Sequence, residues 1–207
     1  MRELAGKTAF VTGGASGIGF ALGAAFAQAG MKVMLADIET GALASAVKSL
    51  HDFGPNIRGV ACDVADPLSV ERAAKASYDA FGKVHVVCNN AGVAAAGGID
   101  NISLDNWRWV LDVNLMGVLH GIRSFLPHIR AHGEGGHIVN TASMAGMNSG
   151  LGFSPLCGEQ VRGGRHVRGA GEAGRPDRTW SGHQDIDCRS AADRRVSDRR
   201  NAAVHGA

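Results

Sequence analysis

Three glycines and one aspartate carry the clearest chemistry in this chain. Residues 12–19 read T-G-G-A-S-G-I-G, so Gly13, Gly17 and Gly19 are separated by three and one residues, with Ser16 and Ile18 between them. Glycines so spaced permit a tight turn and let backbone N–H groups approach a pyrophosphate at the start of a helix. The plain alternative is a structural turn, but strand, glycines and helix in that order argue for dinucleotide binding. About twenty residues further on, Asp37 ends a second apolar run. A carboxylate there accepts hydrogen bonds from ribose hydroxyls and repels a 2′-phosphate, which favours NAD over NADP. Ile38 beside it supplies no cation. A solvated strand-end carboxylate is the alternative reading. Asp63 and Val64 end a third run, where they would flank an adenine. Asn90, Ala91 and Gly92 end a fourth, where small residues leave room for a cofactor.

These positions need a frame, and the pattern predicts one. Short β-rich runs (7–14, 32–38, 58–64, 84–92 and 136–143) alternate with helical stretches. The first helix, 18–30, is Ala-rich with a glycine stop. The second runs to about His51, and Pro67 opens the third in its first turn, reaching to about Gly82. Ser103 is a good N-cap for a helix over 104–111, with a long helix over 113–131 to follow. Strands alternating with helices imply parallel pairing through right-handed crossovers. The expected fold is therefore α/β, a Rossmann-like doubly wound parallel sheet in three α/β/α layers.

At 207 residues the chain suits one such domain. A net charge of +2 with 19% charged residues gives no case for nucleic-acid or membrane partners. The four cysteines (Cys62, Cys88, Cys157 and Cys188) match no zinc spacing, and Cys62 and Cys88 lie in apolar runs that suit buried free thiols. No metal site is expected. No charged-then-apolar leader and no apolar run of about 18 residues is present, so a cytoplasmic protein is expected. Composition divides the chain. Residues 157–207 hold about ten arginines and no Lys, Leu, Phe or Tyr, too few apolar side chains to offset ordering entropy. The reading is an NAD(P)-binding Rossmann domain over 1–152 and an aberrant, disordered tail over 153–207.

The glycine motif, D-V after the third strand, N-N-A-G after the fourth, D-V-N-L-M-G-V and I-V-N-T-A-S together resemble the classical short-chain dehydrogenase/reductase family over roughly residues 5–150. The resemblance implies NAD(P)-linked oxidoreduction of a small secondary alcohol or ketone, usually by a homodimer or homotetramer. It also implies that Asn114 kinks its helix to hold a water of the proton relay. Ser143 would hydrogen-bond the substrate oxygen and stabilise charge developing there. Each has a plainer alternative: Asn114 as a helix cap or bend, Ser143 as a strand end.

The family's remaining pair, Y-x-x-x-K, is absent. The tyrosine is its general acid/base, and the lysine lowers the phenol's pKa from about 10 towards neutrality. Leu156 and Gln160 stand in their places, and the chain's only tyrosine, Tyr78, and last lysine, Lys83, lie upstream. This chain is therefore expected to be inactive. A selected pseudoenzyme, kept as a nucleotide-binding or interaction protein, would change those residues and keep the fold. A lost reading frame would instead destroy everything beyond one point. Read one nucleotide later, the Leu156–Cys157 junction encodes only Tyr, Phe, Ser or Cys, and Gln160 into Val161 gives Lys or Arg. A complete Y-x-x-x-K in register is thus permitted, which favours the lost frame.

Overall fold

The computed structural model describes residues 3–98 and 100–143. The expected tail over 153–207, the domain boundary at 152, Leu156, Gln160, Cys157 and Cys188 lie outside the described residues.

Five parallel strands form one sheet in the order β3-β2-β1-β4-β5: β1 (Thr8–Thr12), β2 (Lys32–Asp37), β3 (Ile57–Ala61), β4 (Val86–Asn89) and β5 (His137–Asn140). The order reverses between β1 and β4, and a doubly wound sheet opens its ligand crevice beyond the strand ends at such a point. β1 and β4 are buried along their whole lengths. That explains why they read as near-continuous apolar runs without alternation.

Helices cover both faces. α1 (Gly17–Gln28) and α2 (Thr40–Leu50) pack on one side, where Val33, Leu35, Leu43, Leu50 and Ile57 form a core. α1 lies close because it is built from small residues: a Cβ on Gly23 would meet Leu35 Cδ2 at 2.6 Å. The other face carries α3 (Pro67–Phe81), α4 (Leu104–Leu111) and α5 (Gly117–Ala131). There Phe10, Val70, Val87, Phe125, Ile129 and Ile138 pack together, with the Phe10 and Phe125 rings 4.5 Å apart. α3 starts where Asp66 accepts the Leu68 N–H at 2.9 Å and Pro67 takes the first turn. α4 starts where Ser103 accepts the Asn106 N–H, as its sequence predicts.

Three expectations need correction. β3 ends at Ala61, so Asp63 and Val64 follow the strand instead of ending it. The Asp63 carboxylate accepts the Ala65 N–H at 2.9 Å, and that local turn takes the chain off the sheet. The helix expected over 113–131 is not uniform either. A π-helical turn, Asp112–Met116, joins α4 to α5 with Asn114 at its middle, and such turns gather at functional sites. β4 likewise stops at Asn89, which frees Asn90, Ala91 and Gly92 to leave the sheet.

Candidate functional site

The site is built around the end of β1. Thr12, buried at 3% exposure, accepts the N–H groups of Asn90 and Ala91 on one oxygen at 2.9 and 3.0 Å. Asn90 Nδ2 returns a bond to the Thr12 carbonyl, and Thr141 past β5 donates to Asn90 Oδ1. One threonine thus joins the ends of β1 and β4. The sequence reading missed it; its signal was a polar residue closing an otherwise apolar run.

The glycines take their places through space and torsion. Gly13 (φ +65°) and Gly17 (φ +53°) adopt left-handed backbone that glycine favours. A Cβ on Gly13 would touch Ala91 Cα at 3.0 Å, and one on Gly19 would lie 2.0 Å from the Gly13 carbonyl oxygen. The turn therefore closes tightly onto the N-N-A-G segment. Above it, α1 begins without a side-chain cap from Ser16 and without an acidic residue in its first turn. Its unsatisfied N–H end and positive dipole end face outward at exposed Ser16, Gly17 and Ile18. That is the electrostatic form of an anion site, and the residues present fit a pyrophosphate.

Asp37 sits beside the same turn. One carboxylate oxygen accepts the Ala15 N–H at 2.9 Å and the other the Glu39 N–H at 3.0 Å. Each oxygen keeps acceptor capacity for a further donor. The adjacent Ile38 side chain is 61% exposed, so an apolar surface, not a cation, borders the carboxylate.

Asn114 reaches from the π turn to the segment that follows β4. Its Oδ1 accepts the Val93 N–H at 2.8 Å and its Nδ2 donates to the Val93 carbonyl at 2.9 Å. The side chain thereby clamps the segment leaving β4, while the π turn loosens the regular carbonyl ladder around it. Gly92 lies against it: a Cβ there would meet Asn114 Oδ1 at 3.3 Å. Ser143 is exposed, three residues beyond β5.

The Asp63–Val64 loop is fixed on every side but one. The Cys62 N–H donates to the Asp37 carbonyl, the Asp63 N–H to Ser69 Oγ, the Ala65 N–H to Asp63 Oδ1 and the Asp66 N–H to the Asp63 carbonyl. The Val64 carbonyl accepts at 2.9 Å from Nδ1 of His120, a residue of α5 that no motif singles out. Among the described residues the Val64 N–H alone in this loop has no partner. The Val64 side chain is buried against α5, where a Cβ on Gly117 would meet it at 2.9 Å. Val64 therefore leaves only its backbone N–H open.

No substitute for the missing pair exists among the described residues. The Tyr78 hydroxyl is buried without a partner, its ring packed against Phe125 and His128, and burial pushes its pKa well above the ordinary phenol value. Lys83 pairs with Glu134 at the N-terminal edge of the sheet, opposite the crevice, alongside Lys7 and His85. Cys62 and Cys88 are buried free thiols pushed up to about 11 and 12 by desolvation, unsuited to attack as thiolates. No group of three or more metal-ligating side chains occurs among the described residues, and no helix there is long and apolar enough to cross a membrane.

Comparison with known proteins agrees with this geometry. Residues 7–157 match the family model described as short chain dehydrogenase. The chain is 42% identical over 148 residues to 1-deoxy-11-beta-hydroxypentalenate dehydrogenase of Streptomyces avermitilis, covering 70% of this chain and 55% of that protein. It is 38% identical over 153 residues to C alpha-dehydrogenase of a Sphingobium species, covering 73% and 50%. The chain thus spans about half the length of the curated relatives it matches. Among solved structures it is similar to a short chain dehydrogenase/reductase from Burkholderia phymatum in complex with NAD. The TM-score is 0.79 and the identity 41%, over 82% of this chain and 60% of that one. The five-stranded parallel sheet, the glycine turn on α1 and a family match over more than half the sequence place this chain in the short-chain dehydrogenase family.

Proposed function

We propose that the crevice beyond β1 and β4 binds a nicotinamide dinucleotide, NAD in preference to NADP. The site is laid out for hydride exchange with a small secondary alcohol or ketone, and this chain binds the cofactor without turning it over. The observation that carries the cofactor reading is Asp37: a carboxylate tied to the glycine turn through Ala15, with acceptor capacity left and no cation beside it. Support comes from the NAD-bound Burkholderia phymatum protein at 41% identity.

Residue by residue, the N–H groups of Gly17, Ile18 and Gly19 with Ser16 hold the pyrophosphate. Gly13, Asn90, Ala91 and Gly92 give it room at the strand ends. Asp37 accepts from the adenosine ribose. Asp63 and the free Val64 N–H present an acceptor and a donor to the adenine edge. The bound nicotinamide would supply or take the hydride. Ser143 donates to the substrate oxygen, and Asn114 keeps the π turn open for a relay water. With Leu156 and Gln160 in place of tyrosine and lysine, no side chain takes the alcohol proton.

Calorimetric titration of the 207-residue chain with NAD and NADP, beside a turnover assay on secondary alcohols, tests this. NAD bound more tightly than NADP, with no turnover, is expected. Tighter NADP binding would overturn the Asp37 reading, and turnover would overturn inactivity. The lost frame has its own test in the gene: an in-frame tyrosine and lysine on re-sequencing the codons for Gly150 to Gln160 would establish it, and clean Leu and Gln codons would favour the pseudoenzyme.

A further inference from the structure

We propose that His120 is a positioning residue for the adenine end of the site: from α5, it fixes the Val64 peptide so that the neighbouring Val64 N–H and Asp63 carboxylate meet a base edge in register. The inference rests on the dinucleotide reading above and extends it to a residue outside every motif of the chain.

Buried or half-buried backbone groups are paired almost without exception, so an unpaired N–H in a well-tied segment marks a place kept for something else. From Cys62 to Asp66 each backbone N–H except that of Val64 has a partner. Most of those ties are local: Ser69 and Asp63 hold groups within six residues of themselves. Local ties set the shape of the loop but not its place above the sheet. Two bonds to distant elements set that. One is from the Cys62 N–H to the Asp37 carbonyl, back at the strand end. The other is His120 to Val64, across 56 residues of sequence.

The second bond is directional. A carbonyl accepts, so His120 Nδ1 carries the proton and donates to Val64 O at 2.9 Å. The Val64–Ala65 peptide is then held at both ends, its carbonyl by His120 and its N–H by Asp63 Oδ1. Gly117, one turn before His120, leaves room for the Val64 side chain to seat against α5. With the side chain buried and the carbonyl held, the Val64 N–H has little freedom of direction. Beside it Asp63 keeps Oδ2, which no protein donor takes among the described residues. A donor and an acceptor side by side complement N1 and the N6 amine of adenine. Hypoxanthine reverses that pattern, because its N1 carries a proton and its O6 accepts.

ADP and IDP, titrated into the unsubstituted chain, His120→Leu and His120→Asn, test this. Leucine fills space without donating; asparagine places an N–H donor close to where Nδ1 stands. The unsubstituted chain is expected to prefer ADP over IDP by about tenfold, the scale of one well-placed hydrogen bond. His120→Leu should bring that ratio to near one, and His120→Asn should restore most of it, with thermal melting tracked for all three. A filler role for His120 would alter melting in both variants and leave the ratio alone. An unchanged ADP/IDP ratio in His120→Leu would overturn the proposal. Failure of the unsubstituted chain to bind ADP would instead overturn the dinucleotide reading beneath it.

Discussion

Gly19→Ala is the sharpest perturbation of this site. A Cβ at Gly19 would lie 2.0 Å from Gly13 O, 2.6 Å from Gly13 C and 2.7 Å from Asn90 Nδ2, where real contacts stay beyond 3.0 Å. The first two obstacles are backbone, so no rotamer relieves them. The start of α1 must move from the end of β1 by about 1 Å, and overpacking of this kind costs about 1–3 kcal/mol, with rigid backbone at the upper end. Two other glycines separate the causes. Gly17 has open space around its Cβ position but φ of +53°, so Gly17→Ala should lose about 1–2 kcal/mol through torsion alone. Gly41, in α2, has open space and no positive φ, so Gly41→Ala should gain about 0.4–1 kcal/mol by restricting the unfolded chain. Urea unfolding gives the three stabilities, and ADP titration reads the site. The expected order is Gly41→Ala above the parent, then Gly17→Ala, then Gly19→Ala. Gly19→Ala should also bind ADP more than tenfold weaker, which corresponds to about 1.4 kcal/mol. A Gly19→Ala chain with the unfolding midpoint of Gly41→Ala and undiminished ADP binding would refute the close-approach argument.

Other perturbations follow from the same geometry. Gly121→Ala would set a methyl 2.1 Å from the Oδ1 of buried Asn89. It should destabilise by about 1–3 kcal/mol, and the double change with Asn89→Ala should cost less than the separate losses together, as a double-mutant cycle in urea would record. Asn114→Ala removes both bonds to Val93 and should cost about 1–3 kcal/mol. Asn114→Asp should not repair it, because an oxygen would then face the Val93 carbonyl; faster hydrogen exchange at the Val93 amide reports the lost clamp. Acid should loosen the N-terminal edge in two stages. Burial holds His85 below its ordinary 6.5, and Lys7, Lys83 and His85 hold Glu134 below 4.5. Both folded values are depressed, so the unfolded chain takes protons first. Between pH 6.5 and the thiols' ordinary 9.0 the melting temperature should be level; it should fall as pH drops below 6.5, and fall again below 4.5. A His85→Asn chain that still shows the first fall would rule out His85 as its source.

The fold was legible because parallel burial leaves a strong mark. β1 and β4 are apolar along their length since both faces are covered, and Pro67, Ser103 and Gly82 punctuate helices by known torsion and capping rules. What failed was local competition. Apolar Val64 extends the β pattern of 58–64, yet the Asp63 side chain wins the Ala65 N–H and ends the strand at Ala61. The π turn at Asp112–Met116 was equally hidden, because its residues read as ordinary helix and the tertiary pull is one amide, Asn114, on the backbone of Val93. The site divides in the same way. Gly13, Gly19 and Asp37 stand in runs where torsion, close backbone approach and charge dictate the residue type. Thr12, through a cluster of bonds to Asn90 and Ala91, and His120, through one bond to Val64, act across long stretches of sequence, and neither spacing nor periodicity marks them.

The two edges of the sheet then bear on whether binding can outlive chemistry. At the N-terminal edge the polar groups find partners within the protein: Lys7, Lys83 and His85 all converge on Glu134. At the C-terminal edge the reverse holds. α1 starts uncapped, the Val64 N–H is unpaired, and Asp37 and Asp63 keep acceptor capacity, all within residues 16–64. A fold does not leave that many polar groups open in one crevice unless water or a ligand completes them. On the function proposed above, the groups that complete an adenosine pyrophosphate belong to β1 through β3 and their loops, braced by α5. The groups that complete proton transfer belong after Ser143, where the chain offers Leu156 and Gln160. On that reading, affinity for the nucleotide and turnover of an alcohol rest on separate stretches of sequence. The loss of the second leaves the physical basis of the first in place.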